Sequence, residues 1–161
     1  MEKPEPMNAK EAKQMEQQLC RQYGIEKLKL PYAFFKNPKG KMFAVSRGIS
    51  RLDFSKLRIN AIGMYFAKAE EKGGIRLTVE GSQMIGKHAT KNVAEITPEQ
   101  AEDWMRGNDV AANGSLSGFV LLKCGDDFFG CGKYSDGKVF NFVPKERRVR
   151  RLSPAAAVSE A

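Results

Sequence analysis

The chain is poor in the residues that metal and nucleophile chemistry use: one histidine, His88, and three cysteines, Cys20, Cys124 and Cys131, in 161 residues. A single imidazole leaves little material for a histidine-pair metal site or a Ser-His-Asp triad, and a lone histidine is more often a surface or hydrogen-bonded group than a catalyst. The cysteines are odd in number and stand at no metal-ligand spacing, so neither a disulfide framework nor a zinc site is expected. They read as small buried hydrophobes in a reducing, cytoplasmic compartment. No apolar run has the length that a secretory signal or a membrane span requires. Acidic charge is the scarcer sign: 19 Asp and Glu stand against 27 Lys and Arg, a net charge of +8. Such a balance favours a polyanionic partner, because a basic surface releases counterions when it meets phosphates, although a solvated lysine face gives the same composition.

Two further patterns are excluded on spacing. Gly130-Cys131-Gly132-Lys133 looks like the end of a phosphate loop, but Asp127 stands where that loop needs its first glycine and Tyr134 where it needs Ser or Thr. Asp126 and Asp127 are adjacent in a tight turn, where side chains diverge rather than converge on a substrate. No cofactor and no metal are expected.

With 42% hydrophobic and 29% charged residues the composition is that of an ordinary globular protein, long enough for one domain or two small ones. Residues 1–7, with two prolines and alternating charges, are expected to form a flexible lead. Residues 153–161, small and alanine-rich, are expected to form a disordered tail. Between them the patterning predicts an α+β chain. A first helix starts at the N-cap Asn8, has Glu11 three residues on and stops at Gly24, with Ala12, Met15, Leu19 and Tyr23 on one face. A hairpin spans 32–36 and 41–46 across Asn37-Pro38-Lys39-Gly40. Strands are expected at 57–69 and 75–79, then a loop with one helical turn over 80–90 and a short strand at 92–96. Thr97-Pro98-Glu99-Gln100 is a capping box with proline at the first helical position, and the helix it opens ends at Arg106-Gly107. Trp104 reads as core on that helix, and residues 108–117 as a mobile loop.

From residue 118 onward three strands are expected. Residues 119–124 form an apolar run and 128–133 return after Gly125-Asp126-Asp127. A third strand follows Ser135-Asp136-Gly137 and is stopped by Pro144. Basic residues crowd this end: Lys133, Lys138, Lys145, Arg147, Arg148, Arg150 and Arg151. Brought together from neighbouring strands they would make a patch that a phosphate backbone could follow, with arginine forks adding bidentate contacts. Asn141 could read a base or close a turn.

Trp104 through Gly107, Gly130-Cys131-Gly132-Lys133, and Asn141-Phe142-Val143-Pro144-Lys145 follow one another in order. Together they form an aromatic-x-Arg-Gly helix end, a Gly-x-Gly-Lys strand and an Asn-x-x-Pro-Lys strand end. This combination resembles the C-terminal PUA-like domain of the RsmF/Sun class of ribosomal RNA cytosine-C5 methyltransferases, over roughly residues 93–151. A composition shift places a boundary near residue 92, so a mixed N-terminal α/β part, residues 8–91, is expected to pack on a C-terminal part, residues 92–152, which the resemblance implies is a PUA-like β-barrel. The resemblance further implies a small archaeal-type protein carrying this module without the catalytic domain. The catalytic features of that class, a Gly-rich βα turn for the methyl donor and a cysteine beside proline, are not found in the sequence. The expectation is a non-catalytic protein that binds rRNA or tRNA in modification or ribosome biogenesis. Its expected RNA-binding residues are Arg106, Lys133, Lys138, Asn141, Lys145, Arg147, Arg148 and Arg150. The alternative is a protein adaptor docking a separate RNA methyltransferase or ribosome assembly factor through the first helix or the 108–117 loop.

Overall fold

In the computed structural model, residues 4–47 and 63–149 are described. Asn8 caps helix α1 (Ala9–Tyr23) through a reciprocal box with Glu11, and Gly24 ends it in the left-handed conformation, φ 62°. The predicted stripe is the buried one: Met15, Leu19 and Tyr23 face inward. Ahead of this helix lies a difference from expectation. Glu5 and Pro6 (β1) do not trail but pair with Lys36 and Phe35 on an antiparallel neighbour. Proline is tolerated there because β1 is an edge strand.

The hairpin β2 (Tyr32–Lys36) and β3 (Lys41–Ser46) forms as the Asn-Pro-Lys-Gly turn requires. β4 (Met64–Ala69) and β5 (Ile75–Leu77) complete a five-stranded antiparallel meander in the order β1-β2-β3-β4-β5. The expected start of β4 at residue 57 lies outside the described residues. Residues 80–90 are more helical than their two glycines suggested: Thr78 caps α2 (Val79–Ile85), and a 3-10 turn follows at Gly86–His88. Gly81 and Gly86 are there for room. A Cβ on Gly81 would run into the carbonyl of Phe66, and one on Gly86 into the ring of Phe128.

The second sheet has the order β6-β8-β9-β10-β7. β6 (Val93–Glu95) runs parallel to β8 (Phe119–Cys124), and α3 (Pro98–Met105) forms the crossover with its capping box intact. β8, β9 (Asp127–Ser135) and β10 (Lys138–Phe140) are linked by two tight hairpins. In the second, Asp136 and Gly137 both take positive φ, 49° and 80°, the requirement of a two-residue turn matched to strand twist. β7 (Val110–Ala111) lies in the stretch expected to be a mobile loop and pairs with β10. The third C-terminal strand is shorter than expected: its ladder ends at Phe140, four residues before Pro144.

Both α and β elements are present, and the α+β reading stands. Neither sheet closes into a barrel through the ladders of the described residues: each is an open five-stranded sheet. β7 offers only two paired residues and β10 three, too little edge for closure. Instead β8, inside the second sheet, is buried on both faces along residues 119–122, which is why that run is apolar without alternation. Phe119 and Leu121 join α1, the first sheet and α2 in one core, while Val120 and Leu122 join Trp104, Val139 and Val143 in another. Trp104 is fully buried and donates from Nε1 to the Phe129 carbonyl at 2.7 Å. The first core draws on chain from both sides of residue 92, so helix α1 and strand β9 share an interior.

Candidate nucleic-acid interface

The eight residues singled out in the sequence separate into three groups. Lys133, Lys138 and Lys145 are exposed, and no ion pair involves them among the described residues. Register places two of them together: Lys138 pairs with Ser135, and Phe140 with Lys133. Residues two apart on a strand share a face, so Lys133 and Lys138 are diagonal neighbours on one face of the β9–β10 ladder, and Phe140, directly opposite Lys133 and two residues beyond Lys138, shares that face. Phe140 is 43% exposed, large for an aromatic side chain.

A second group is spent on the fold. Asn141 donates from its amide to the carbonyls of Trp104, at 2.7 Å, and Asn108, at 2.9 Å, while its Oδ1 accepts from the Val143 N–H at 2.7 Å. Its own backbone N–H donates to Asp109 Oδ1 at 2.8 Å. These bonds draw the chain out of the β10 ladder and toward the end of α3, which is why the strand stops at Phe140. Both amide hydrogens are taken, so of the two roles open to Asn141 the structure contains the turn-closing one. Arg148 donates from Nε to the Val143 carbonyl at 3.1 Å and lies over Gly107, whose φ of 99° and missing Cβ leave room for it.

The third group is paired with acids. Arg106 meets Glu102 at 2.6 Å and Asp103 at 3.8 Å, and its buried Nε has no partner. Arg147 is paired with Glu80 of α2. Arg150 lies outside the described residues, as does Arg151. Among the described residues the cluster expected at the strand end thus keeps Lys133, Lys138 and Lys145 without an ion pair, and Arg148 with a backbone carbonyl as its partner.

Sequence reasoning missed the other side of this surface. A cleft of about 530 Å³ opens between β3, β4 and β5 on one wall and residues 142–147 on the other. Lys41, Lys68 and Arg76 line it, and they are cross-strand partners: Lys41 opposite Lys68, and Lys68 opposite Arg76. Arg76 pairs with Glu70 at 2.9 Å and lies over the ring of Phe142, guanidinium carbon to ring centre 4.5 Å. Phe142 in turn meets Phe119 at 6.3 Å between ring centres and is 37% exposed. Lys41 sits over the Tyr65 ring at 5.3 Å, and burial holds the Tyr65 hydroxyl above its ordinary pKa. Glu80 and Glu146 also line the cleft, the first already paired with Arg147. The sequence signal was present, since Lys41 begins a strand and Arg76 alternates between buried Ile75 and Leu77. Nothing in the sequence states which cation faces which.

Comparison with known proteins follows the C-terminal half of this architecture. Residues 91–149 match the family described as the methyltransferase RsmF PUA domain. Similar curated proteins are ribosomal RNA small subunit methyltransferases F. One from Vibrio cholerae is 30% identical over 91 residues, 56% of this chain and 19% of the relative. One from Aliivibrio salmonicida is 27% identical over 106 residues, 66% and 22%, and one from Aliivibrio fischeri 29% over 90 residues, 56% and 19%. The chain thus spans about a fifth of the length of these relatives, which are bacterial rather than archaeal. The resemblance read from the three short motifs is borne out over residues 91–149, which match the RsmF PUA domain family.

Proposed function

We propose that this chain is a non-catalytic RNA-binding protein whose C-terminal PUA-type domain, residues 92–152, engages rRNA or tRNA during modification or ribosome assembly in the cytoplasm. The observation that carries the reading is the solvent-facing group of Lys133, Lys138 and Phe140, two uncommitted ammonium groups flanking an exposed ring on one face of a rigid ladder. Ammonium groups position a phosphate backbone and an exposed ring stacks an unpaired base, the combination that single-stranded RNA requires. The relatives' name supports the choice of ribosomal RNA as the first substrate to test. Lys145, exposed in the 3-10 turn that follows, adds a third cation to the reading, and Arg147 and Arg148 hold that turn against α2 and Gly107. Among the described residues no helix is long and apolar enough to cross a membrane.

The test is crosslinking of the whole chain to RNA in cell extract, with sequencing of the attached fragments, beside a Lys133→Glu/Lys138→Glu/Lys145→Glu variant. Recovery of discrete rRNA or tRNA fragments that the variant loses supports the reading. Recovery of a separate methyltransferase with no RNA, unaffected by salt, supports the adaptor role instead.

A further inference from the structure

Two lysines directly opposite each other in a ladder repel, and such pairs are destabilising unless something between them carries negative charge. Lys41 and Lys68 are in that position, both half-buried, and no acid bridges either of them among the described residues. The next residue in the row, Arg76, is anchored by Glu70 and lies over the ring of Phe142. A guanidinium pressed on a phenyl ring presents a planar, partly desolvated surface of the sort on which nucleobases stack. The distance along the row from Lys68 to Arg76 is one strand spacing, roughly 5 Å, the order of the separation between a nucleotide's phosphate and its base.

These residues lie outside the matched segment 91–149 except for Phe142. Continuity with the Lys133–Phe140 face is nonetheless built in. Phe119 pairs with Lys133 across the β8–β9 ladder, Phe142 meets Phe119, and Arg76 covers Phe142. Cations and rings therefore follow one another without a break from Lys138 on the second sheet to Lys41 on the first.

We infer that the Lys41–Lys68–Arg76 row with Phe142 is a nucleotide subsite for unpaired RNA, the phosphate held between the two lysines and the base placed against the Arg76–Phe142 platform. The inference rests on the RNA reading above and extends it to the N-terminal sheet. A strand crossing the cleft would then contact both sheets at once, and a duplex, whose bases are stacked and paired, would not fill the platform.

The experiment measures binding of the whole chain to an unpaired oligoadenylate, to an abasic oligonucleotide of the same length, and to duplex RNA, by fluorescence anisotropy across a salt series. Wild type should prefer the oligoadenylate to both others. Lys41→Gln/Lys68→Gln should weaken oligoadenylate binding roughly 20-fold at 0.1 M salt and make the log-log salt slope shallower by about 1.4, the loss of two single-strand phosphate contacts. Phe142→Leu, which keeps apolar bulk against Phe119, should abolish the preference over the abasic strand while leaving the salt slope unchanged. If the lysine variant binds with wild-type affinity and slope while Lys133→Gln/Lys138→Gln is weakened, this subsite is wrong and the RNA reading survives. If wild type binds no RNA, both fall. Equal binding of abasic and base-bearing strands by wild type overturns the stacking role, and equal binding of polyglutamate makes the row a general anion site.

Discussion

Tyr23 and Cys131 meet across 108 residues of sequence, hydroxyl oxygen to sulfur 3.2 Å, at the place where the last turn of α1 touches the middle of β9. Burial pushes the Cys131 thiol up to about 11 from its ordinary 9.0 and raises the Tyr23 hydroxyl well above its ordinary 10.0. Both groups thus hold their protons more tightly in the folded chain than in the unfolded one.

That pair predicts an alkaline limit to stability. Well below pH 9 both groups are protonated in either state and contribute no slope. As pH rises from 9 toward 11 the unfolded chain releases the Cys131 proton first, binds fewer protons than the folded chain, and becomes favoured. The urea midpoint should fall over that window, and Cys131→Ala should flatten part of the fall even though it lowers stability at pH 7. Identical pH profiles for the two proteins would refute the assignment. In the native protein Cys131 should react with a thiol reagent more slowly than Cys20 and Cys124, which are only half-buried.

Gly81 sits inside α2, where alanine is ordinarily better by about 1 kcal/mol. A Cβ there would overlap the Phe66 carbonyl of the neighbouring strand. Gly81→Ala should therefore destabilise, by about 1–3 kcal/mol as overpacking does, rather than stabilise. A rise in melting temperature would contradict the close approach of α2 to β4.

Asn141 is tied to Trp104, Asn108 and Val143. Asn141→Ala should cost about 2–3 kcal/mol, because it strands the partners of three hydrogen bonds. Asn141→Asp should cost more, because it points a carboxylate at two carbonyl oxygens. Affinity for RNA, corrected for the folded fraction, should remain near wild type in the alanine variant. A specific loss of affinity without loss of stability would return Asn141 to base reading.

Much of this architecture is written locally. The Asn8 and Thr97 capping boxes, the Asn-Pro-Lys-Gly hairpin and the Asp-Gly turn each fix an element through neighbours within four residues, and all were legible. α2 was not, because Gly81 and Gly86 look like helix breakers until the strand and ring packed against them are known. Likewise Val110–Ala111 reads as loop, since a two-residue strand has no period of its own and exists only by pairing with β10. The interface was half legible. Lys133 and Lys138 come from one hairpin whose register follows from its turn. Whether an arginine is free is decided by distant acids, and Glu80 lies 67 residues before the Arg147 it neutralises. The Lys41–Lys68 pairing is likewise set by sheet register across residues 48–62, which no local pattern encodes.

The central claim is that Lys133 and Lys138 contact RNA phosphates, and the salt dependence of RNA affinity tests it most directly. Between 50 and 200 mM salt, Lys133→Gln/Lys138→Gln should bind an unpaired RNA more weakly than wild type, with a log-log slope shallower by about 1.4, since each single-strand phosphate contact contributes about 0.7. An unchanged slope and affinity, with both proteins equally folded, would contradict the account.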